Sequence, residues 1–439
     1  MHLAILWHFH QPIYRRPGSR DYVLPWVNFH ATKNYHQMAR LVEETGLPST
    51  FNFAPCLLEQ IEDYSQGLAN DPFQLALELP PDKLGPIESE RLRKFVPNET
   101  KPSVLQAKAL ASFFSPVDPL PSGREAMLAR RLEILGGLLP RWRRLFSEGR
   151  TELTVTPYYH PILPMLFNAD SAGPERPGPA FRYPDDGRTQ IVRGRDYFSR
   201  EFGRPPAGMW PSEGAVSAEV ARAVSAAGIP FIVTDENVLW RSLSRPGEPG
   251  DLYHAYHSGG TTVFFRDRVL SDLIGFTYQH WDAREAVTDL VRRLEDRQPY
   301  AGDRDIIVLT LDGENPWATY PENGVPFLRA LFSRLASTPG IEPVFFGDYL
   351  AAHPADREIS LVPGTWLGNF SKWSGTPAKN DGWAKLARAR AACGPVEEIL
   401  VAEGSDWFWW FGEDDTREFA FLFDAYLEAA YDRAEIAHD

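Results

Sequence analysis

Residues 305–317 read Asp305-Ile-Ile-Val-Leu-Thr-Leu-Asp-Gly-Glu-Asn-Pro-Trp317. The run Ile306 to Leu311 is apolar and β-prone throughout, the pattern of a strand buried in a core. An acidic residue placed directly after such a run stands at the rim with restricted solvation, an environment that tunes a carboxyl pKa. Asp312 is therefore a candidate for chemistry as well as a marker of strand end.

The same kind of run recurs along the chain, at 3–10, 49–54, 152–157, 206–211, 230–234, 262–268 and 342–346. Segments of helical periodicity separate these runs, so the chain reads as an α/β protein of repeated βα units around a parallel sheet or barrel. The stretch 103–150, with Leu128, Leu132, Leu135 and Leu139 three or four apart, predicts a helical insertion before the third strand. From Met165 to Asp185 Pro and Gly are frequent, which predicts a long loop suited to a lid or binding wall. After Tyr349 the βα rhythm stops. Segments 384–403 and 416–435 read as helices, the second with Asp415 and Thr416 as candidate caps. The predicted division is a βα unit over 1–350 and a smaller helical domain over 351–439.

Composition narrows the partners. The chain has 439 residues, 43% hydrophobic and 24% charged, with a net charge of -14. That acidity argues against nucleic acid or an anionic membrane surface as the main partner. No run of about 18 apolar residues is present to span a bilayer. The first ten residues, Met1 to His10, lack a basic n-region and read as a strand rather than a signal peptide. Only Cys56 and Cys393 occur, which excludes a disulfide framework and fits a cytoplasmic setting.

In parallel βα architectures the loops after the strands converge on one face, so reactive groups gather there. The strand ends offer His8, His10 and Gln11; Asn52; Tyr158, Tyr159 and His160; Trp210 and Glu213; Asp235 and Glu236; Arg266 to Arg268; and Asp312 to Asn315. Glu213 and Asp312 are the two carboxyls predicted to face one another across a cleft. Glu314 competes as a helix-start acid near the positive end of a dipole. His8 and His10 alternate on a strand and point the same way, which suits either a metal pair or polar contacts to a ligand. No metal or cofactor is assigned. Thirteen Trp is a high count, and aromatic faces stack on sugar rings. Trp210, Trp317 and Trp373 are the candidate platforms.

Four segments taken together, His10-Gln11-Pro12, Glu152 to Pro161, Gly208-Met-Trp-Pro-Ser-Glu213-Gly and Leu311 to Trp317, resemble glycoside hydrolase family 57 of the α-amylase and amylopullulanase type. Gly368 to Trp373 and Glu403-Gly-Ser-Asp-Trp407 also look like later segments of that family. The resemblance implies an incomplete seven-stranded βα barrel followed by a helical domain that helps build the cleft. It implies a retaining mechanism with Glu213 as nucleophile and Asp312 as general acid/base, and sugar contacts from His10, His160 and Trp210. Gln11 belongs to the same first motif. In the free enzyme the charge of Glu213 is expected to raise the pKa of Asp312.

The leading expectation is hydrolysis of α-1,4 links, with α-1,6 links as a further candidate, in starch, glycogen or maltooligosaccharides. The first rival is a 4-α-glucanotransferase or branching enzyme using the same two carboxyls. A metal-dependent polysaccharide deacetylase and a non-catalytic carbohydrate-binding protein are more distant alternatives.

Overall fold

Leu3 to Trp7 buries every side chain, and in the computed structural model, which describes residues 1–178, 180–414 and 417–435, this stretch is the heart of a parallel sheet. His2–Phe9 (β1) pairs in parallel with Thr50–Phe53 (β2), which pairs in parallel with Glu152–Val155 (β3). Phe231–Asp235 (β4) starts a second group, in which Tyr256–Ser258 (β5) and Thr261–Arg266 (β6) form a hairpin and β6 runs parallel to β4. Ile306–Asp312 (β7) returns to the free side of β1, in a register that sets His8 opposite Asp312. Glu342–Pro343 (β8) pairs with the start of β1, and Arg357–Glu358 (β9) pairs with β5. The result is an α/β fold with a mostly parallel sheet.

Two expected strands come out shorter. The one predicted over 206–211 reduces to Met209, which bridges Val155 of β3 and Ile232 of β4. Pro205, Pro206 and Pro211 have no N–H to give, so a longer ladder cannot form there. The strand expected over 342–346 is only the two residues of β8, because Phe346 already begins a helix to Ala352.

Helices occupy Pro102–Ala111 and Arg124–Ser147, where the insertion was expected. The buried face of the longer one is set by Met127, Arg131, Ile134, Leu135, Leu138 and Trp142, while Leu132 points to solvent. Arg131 replaces it inside by pairing with Glu78 at 2.6 Å, which compensates a charge that burial alone would forbid. The helix predicted over 384–403 is two helices, Pro377–Cys393 and Glu397–Ala402, because Gly394 and Pro395 stop the first. Ser405–Trp410 and Arg417–Arg433 follow; the proposed caps Asp415 and Thr416 lie outside the described residues. The apolar core runs unbroken from Ile5 and Phe51 to Trp383, Phe408 and Phe423, so these helices rest on the sheet layer and bring their loops to its rim. No described helix is long and apolar enough to cross a membrane.

Candidate active site

The C-terminal ends of β1, β2 and β7 lie side by side, which brings His8, Asn52 and Asp312 into one row. His8 Nδ1 is 2.7 Å from Asn52 Oδ1, and burial holds the imidazole pKa down to about 4 despite the nearby Asp312 charge. His8 is thus a neutral, oriented ring at the floor of the cleft.

Two more imidazoles stack on it. His8 lies 5.2 Å from His160 and 5.9 Å from His10 between ring centroids, and His10 and His160 are face to face at 3.7 Å. His160 follows β3 with φ of 58°, a left-handed conformation that a non-glycine residue holds only when its surroundings enforce it. The enforcing contacts come from Ser405, whose N–H donates to the His160 carbonyl at 3.0 Å and whose Oγ lies 2.9 Å from Nδ1. His10 Nε2 is 2.9 Å from the Asp406 carboxylate. One short helix near the end of the chain therefore orients both rings.

Glu213 sits in the turn after the Met209 bridge, also left-handed at φ 59°. Trp366 clamps it twice: the backbone N–H donates to the Glu213 carbonyl at 3.2 Å, and the indole Nε1–H donates to Oε2 at 2.8 Å. Arg266, itself paired with Asp235 at 2.6 Å, lies 5.6 Å over the Trp366 ring. Burial raises the Glu213 pKa to about 8; the Trp366 hydrogen bond opposes this, while the charges of Asp406 and Asp312 add to it. The rise comes first from burial of the Glu213 side chain, which is 18% exposed, and then from the acids it faces. Asp312 is half-buried and its Oδ2 accepts a hydrogen bond from Asn315 Nδ2 at 2.8 Å.

The Trp366 indole favours the ionised Glu213 carboxyl, so Trp366→Phe is expected to raise the Glu213 pKa further. The limb of the kcat/KM profile that Glu213 governs should move to higher pH, with a loss of about tenfold at neutral pH. An unmoved limb would show that the indole does not govern Glu213.

The other sequence candidates divide. Trp210 is buried near His8, with ring centroids 6.4 Å apart, at the floor of the same cleft. Trp317 and Trp373 are corrected: both are fully buried and have no face to offer a sugar. Trp317 packs against Trp7 and Tyr320 and donates its indole N–H to Gly313 O at 2.9 Å, which makes it a support under the Asp312 loop. Trp373 packs against Trp409 at 5.8 Å. Gln11 is buried, and its amide is engaged by Glu314 at 2.7 Å and Tyr14 at 2.9 Å. Sequence reasoning passed over Trp366, Ser405 and Asp406. The signal for the last two was the segment Glu403 to Trp407, already singled out by its resemblance but given no role.

His10, His160 and Asp406 also form a donor set whose type would suit a metal ion. However, the two rings are stacked within 15° of parallel. In-plane lone pairs on rings stacked 3.7 Å apart do not converge on one point, so the geometry suits hydrogen bonding to a ligand better than coordination.

The family model described as glycosyl hydrolase family 57 matches residues 4–362. The chain belongs to this family. Among curated proteins it is similar to two 4-α-glucanotransferases, from Thermococcus kodakarensis and Thermococcus litoralis. Identity is 23% over 243 residues and 25% over 248 residues, covering 53% and 54% of this chain. Each alignment covers 32% of the relative, so the chain matches about a third of their length. Among solved structures, a family 57 branching enzyme from Thermococcus kodakaraensis superposes with a TM-score of 0.69 at 16% identity, over 99% of this chain and 90% of that one. An α-amylase from Thermotoga maritima superposes with a TM-score of 0.65 at 16% identity, over 98% and 93%. At these identities the structural likeness speaks for the family 57 fold alone.

Proposed function

We propose that this family 57 chain is a retaining enzyme of α-glucans that cleaves α-1,4 glucosidic links, with Glu213 as nucleophile and Asp312 as general acid/base. What supports this is that both carboxyls border one histidine cluster: Asp312 stands opposite His8 in the sheet, and Glu213 Oε1 lies 4.0 Å from Nδ1 of His160, whose ring is 5.2 Å from that of His8. Such a pair divides one proton between an acid and a nucleophile, which is what a double displacement needs. In the empty cleft burial favours the proton on Glu213. When a sugar binds, the positive charge developing at the anomeric carbon favours ionised Glu213, and the proton is needed at Asp312 beside the leaving oxygen.

Asp312 then protonates the glycosidic oxygen while Glu213 attacks the anomeric carbon, forming a glycosyl ester. Ionised Asp312 deprotonates an incoming hydroxyl, which attacks the ester and releases the sugar with its configuration retained. The separation this mechanism calls for is about 5 to 5.5 Å. His10, His160 and Asp406 are read as the hydroxyl clamp of the sugar at the cleaved bond, with Trp210 below. The fold is read as an incomplete seven-stranded barrel formed by β1, β2, β3, the Met209 segment, β4, β6 and β7, with residues 351–439 as the helical part completing the cleft. A cytoplasmic setting, without nucleic-acid or membrane partners, remains part of this reading.

Transfer to a sugar hydroxyl instead of water is the second reading, favoured by the names of the curated relatives. Product analysis with maltoheptaose and pullulan, following anomeric protons by NMR, separates the readings. Shorter sugars released as α-anomers are the expected result, and pullulan cleavage would add α-1,6 activity. Longer sugars beside shorter ones would make the chain a transferase, and β-anomers would refute retention.

A further inference from the structure

Glu314 lies two residues beyond Asp312 and was read from sequence as a helix-start acid. The turn it precedes, Asn315–Ala318, is four residues long and receives no side-chain cap from it. Its carboxyl is instead 2% exposed and takes part in a different set of contacts. Oε1 accepts from Gln11 Nε2 at 2.7 Å, Gln11 Oε1 accepts from the Tyr14 hydroxyl at 2.9 Å, and the Glu314 carbonyl accepts from Asn34 Nδ2 at 3.3 Å. The neighbouring Gly313 N–H donates to His8 O at 2.8 Å. A Cβ at Gly313 would stand 2.4 Å from the Phe9 ring, so the loop reaches this depth only with glycine there.

We propose that Glu314 is the positioning residue of Asp312: its buried carboxyl ties the loop after β7 to the segment after β1 through Gln11 and so holds Asp312 at the rim. This rests on the acid/base role proposed for Asp312. The titratable groups facing Glu314 are Asp312 on its own loop, Tyr14 on the segment after β1 and Tyr35 on the wide helical turn Ala31–Tyr35. Among the described residues Glu314 makes no ion pair. A second carboxylate in this position would be buried uncompensated beside Asp312. Burial accordingly pushes the Glu314 pKa well above the carboxylate range, and the Asp312 charge adds to the rise. The neutral form has a consequence for turnover. Asp312 must give its proton to the leaving oxygen in the first step, and a fixed negative neighbour would oppose that loss.

The test combines spectroscopy with kinetics on the full chain. In the infrared difference spectrum of wild type minus Glu314→Gln at neutral pH, a C=O stretch of a protonated carboxyl should remain after the contribution of Glu213, common to both proteins, has cancelled. Both limbs of the kcat/KM profile should stay in place in Glu314→Gln, since no charge is removed. Glu314→Ala should lower kcat about tenfold or more by loosening the loop, with part of that loss returned by Gln. An absent band, either limb moved down by about one pH unit in Glu314→Gln, or wild-type kcat in Glu314→Ala would each overturn the proposal. If the alanine variant does not fold, the band and the limbs of the glutamine variant decide. The band is read without substrate, so it separates this proposal from the role of Asp312, which full turnover by Asp312→Asn would refute by itself.

Discussion

Glu213→Gln and Asp312→Asn are each expected to lower kcat on maltoheptaose by about 100-fold to 10,000-fold, the range associated with losing a positioned proton-transfer group or more. Azide distinguishes their roles. In a small-side-chain variant at Glu213 it would take the nucleophile's place and yield a β-glycosyl azide. In a variant at Asp312 it would attack the glycosyl ester and yield the α-product. The same azide anomer from both variants, or near wild-type rates in either, would defeat the assignment. Stability should respond in the opposite direction to activity. The Glu213 carboxyl ionises near pH 8 when folded, but near pH 4.3 when unfolded, as for any exposed glutamate. Folded stability is therefore complete below about pH 4.3 and is lost as pH rises towards 8. Glu213→Gln escapes that loss, so its melting temperature should match the wild type at pH 4 and exceed it at pH 9. Glu213 is held ionisable at a cost to the fold, as expected of a group buried for chemistry.

Asp406→Ala should be the most damaging change outside that pair, lowering kcat/KM by about 10-fold to 100-fold. The carboxylate accepts from His10 Nε2, and without it that ring loses its orientation while still stacked on His160. Asp406→Asn keeps the shape and one acceptor, so it should retain more activity than Ala. Equal losses in the two variants would mean that charge, and not orientation, is what Asp406 supplies. Full activity in Asp406→Ala would remove the short helix Ser405–Trp410 from the site.

Much of the site was legible because it is written in local strings. Ile306 to Leu311 must be a buried strand on composition alone, and a strand ending at its last apolar residue places Asp312 at the rim. The same logic marked His10, His160, Trp210 and Glu213. It failed for Trp317 and Trp373, because an indole in a rim motif reads identically whether its face meets a sugar or the underside of the loop. Burial chooses between these, and burial is a property of the packed chain. It failed for the strand over 206–211 because proline's missing N–H outweighed an otherwise β-prone stretch.

The positions of most strands along the chain, the choice of Glu213 and Asp312 as the candidate carboxyl pair and the resemblance to a glycoside hydrolase family were within reach of the sequence by itself, since each rests on residues close together along the chain. The partners of that pair were decided only by tertiary structure. Trp366 meets Glu213 across 153 residues, and Asp406 meets His10 across 396. No local preference encodes such a meeting. It exists because the C-terminal helices bury Trp383, Phe408 and Phe423 in the same core as the sheet, and that burial carries Asp406 and Ser405 to the ends of β1 and β3 and Trp366 to the turn of Glu213.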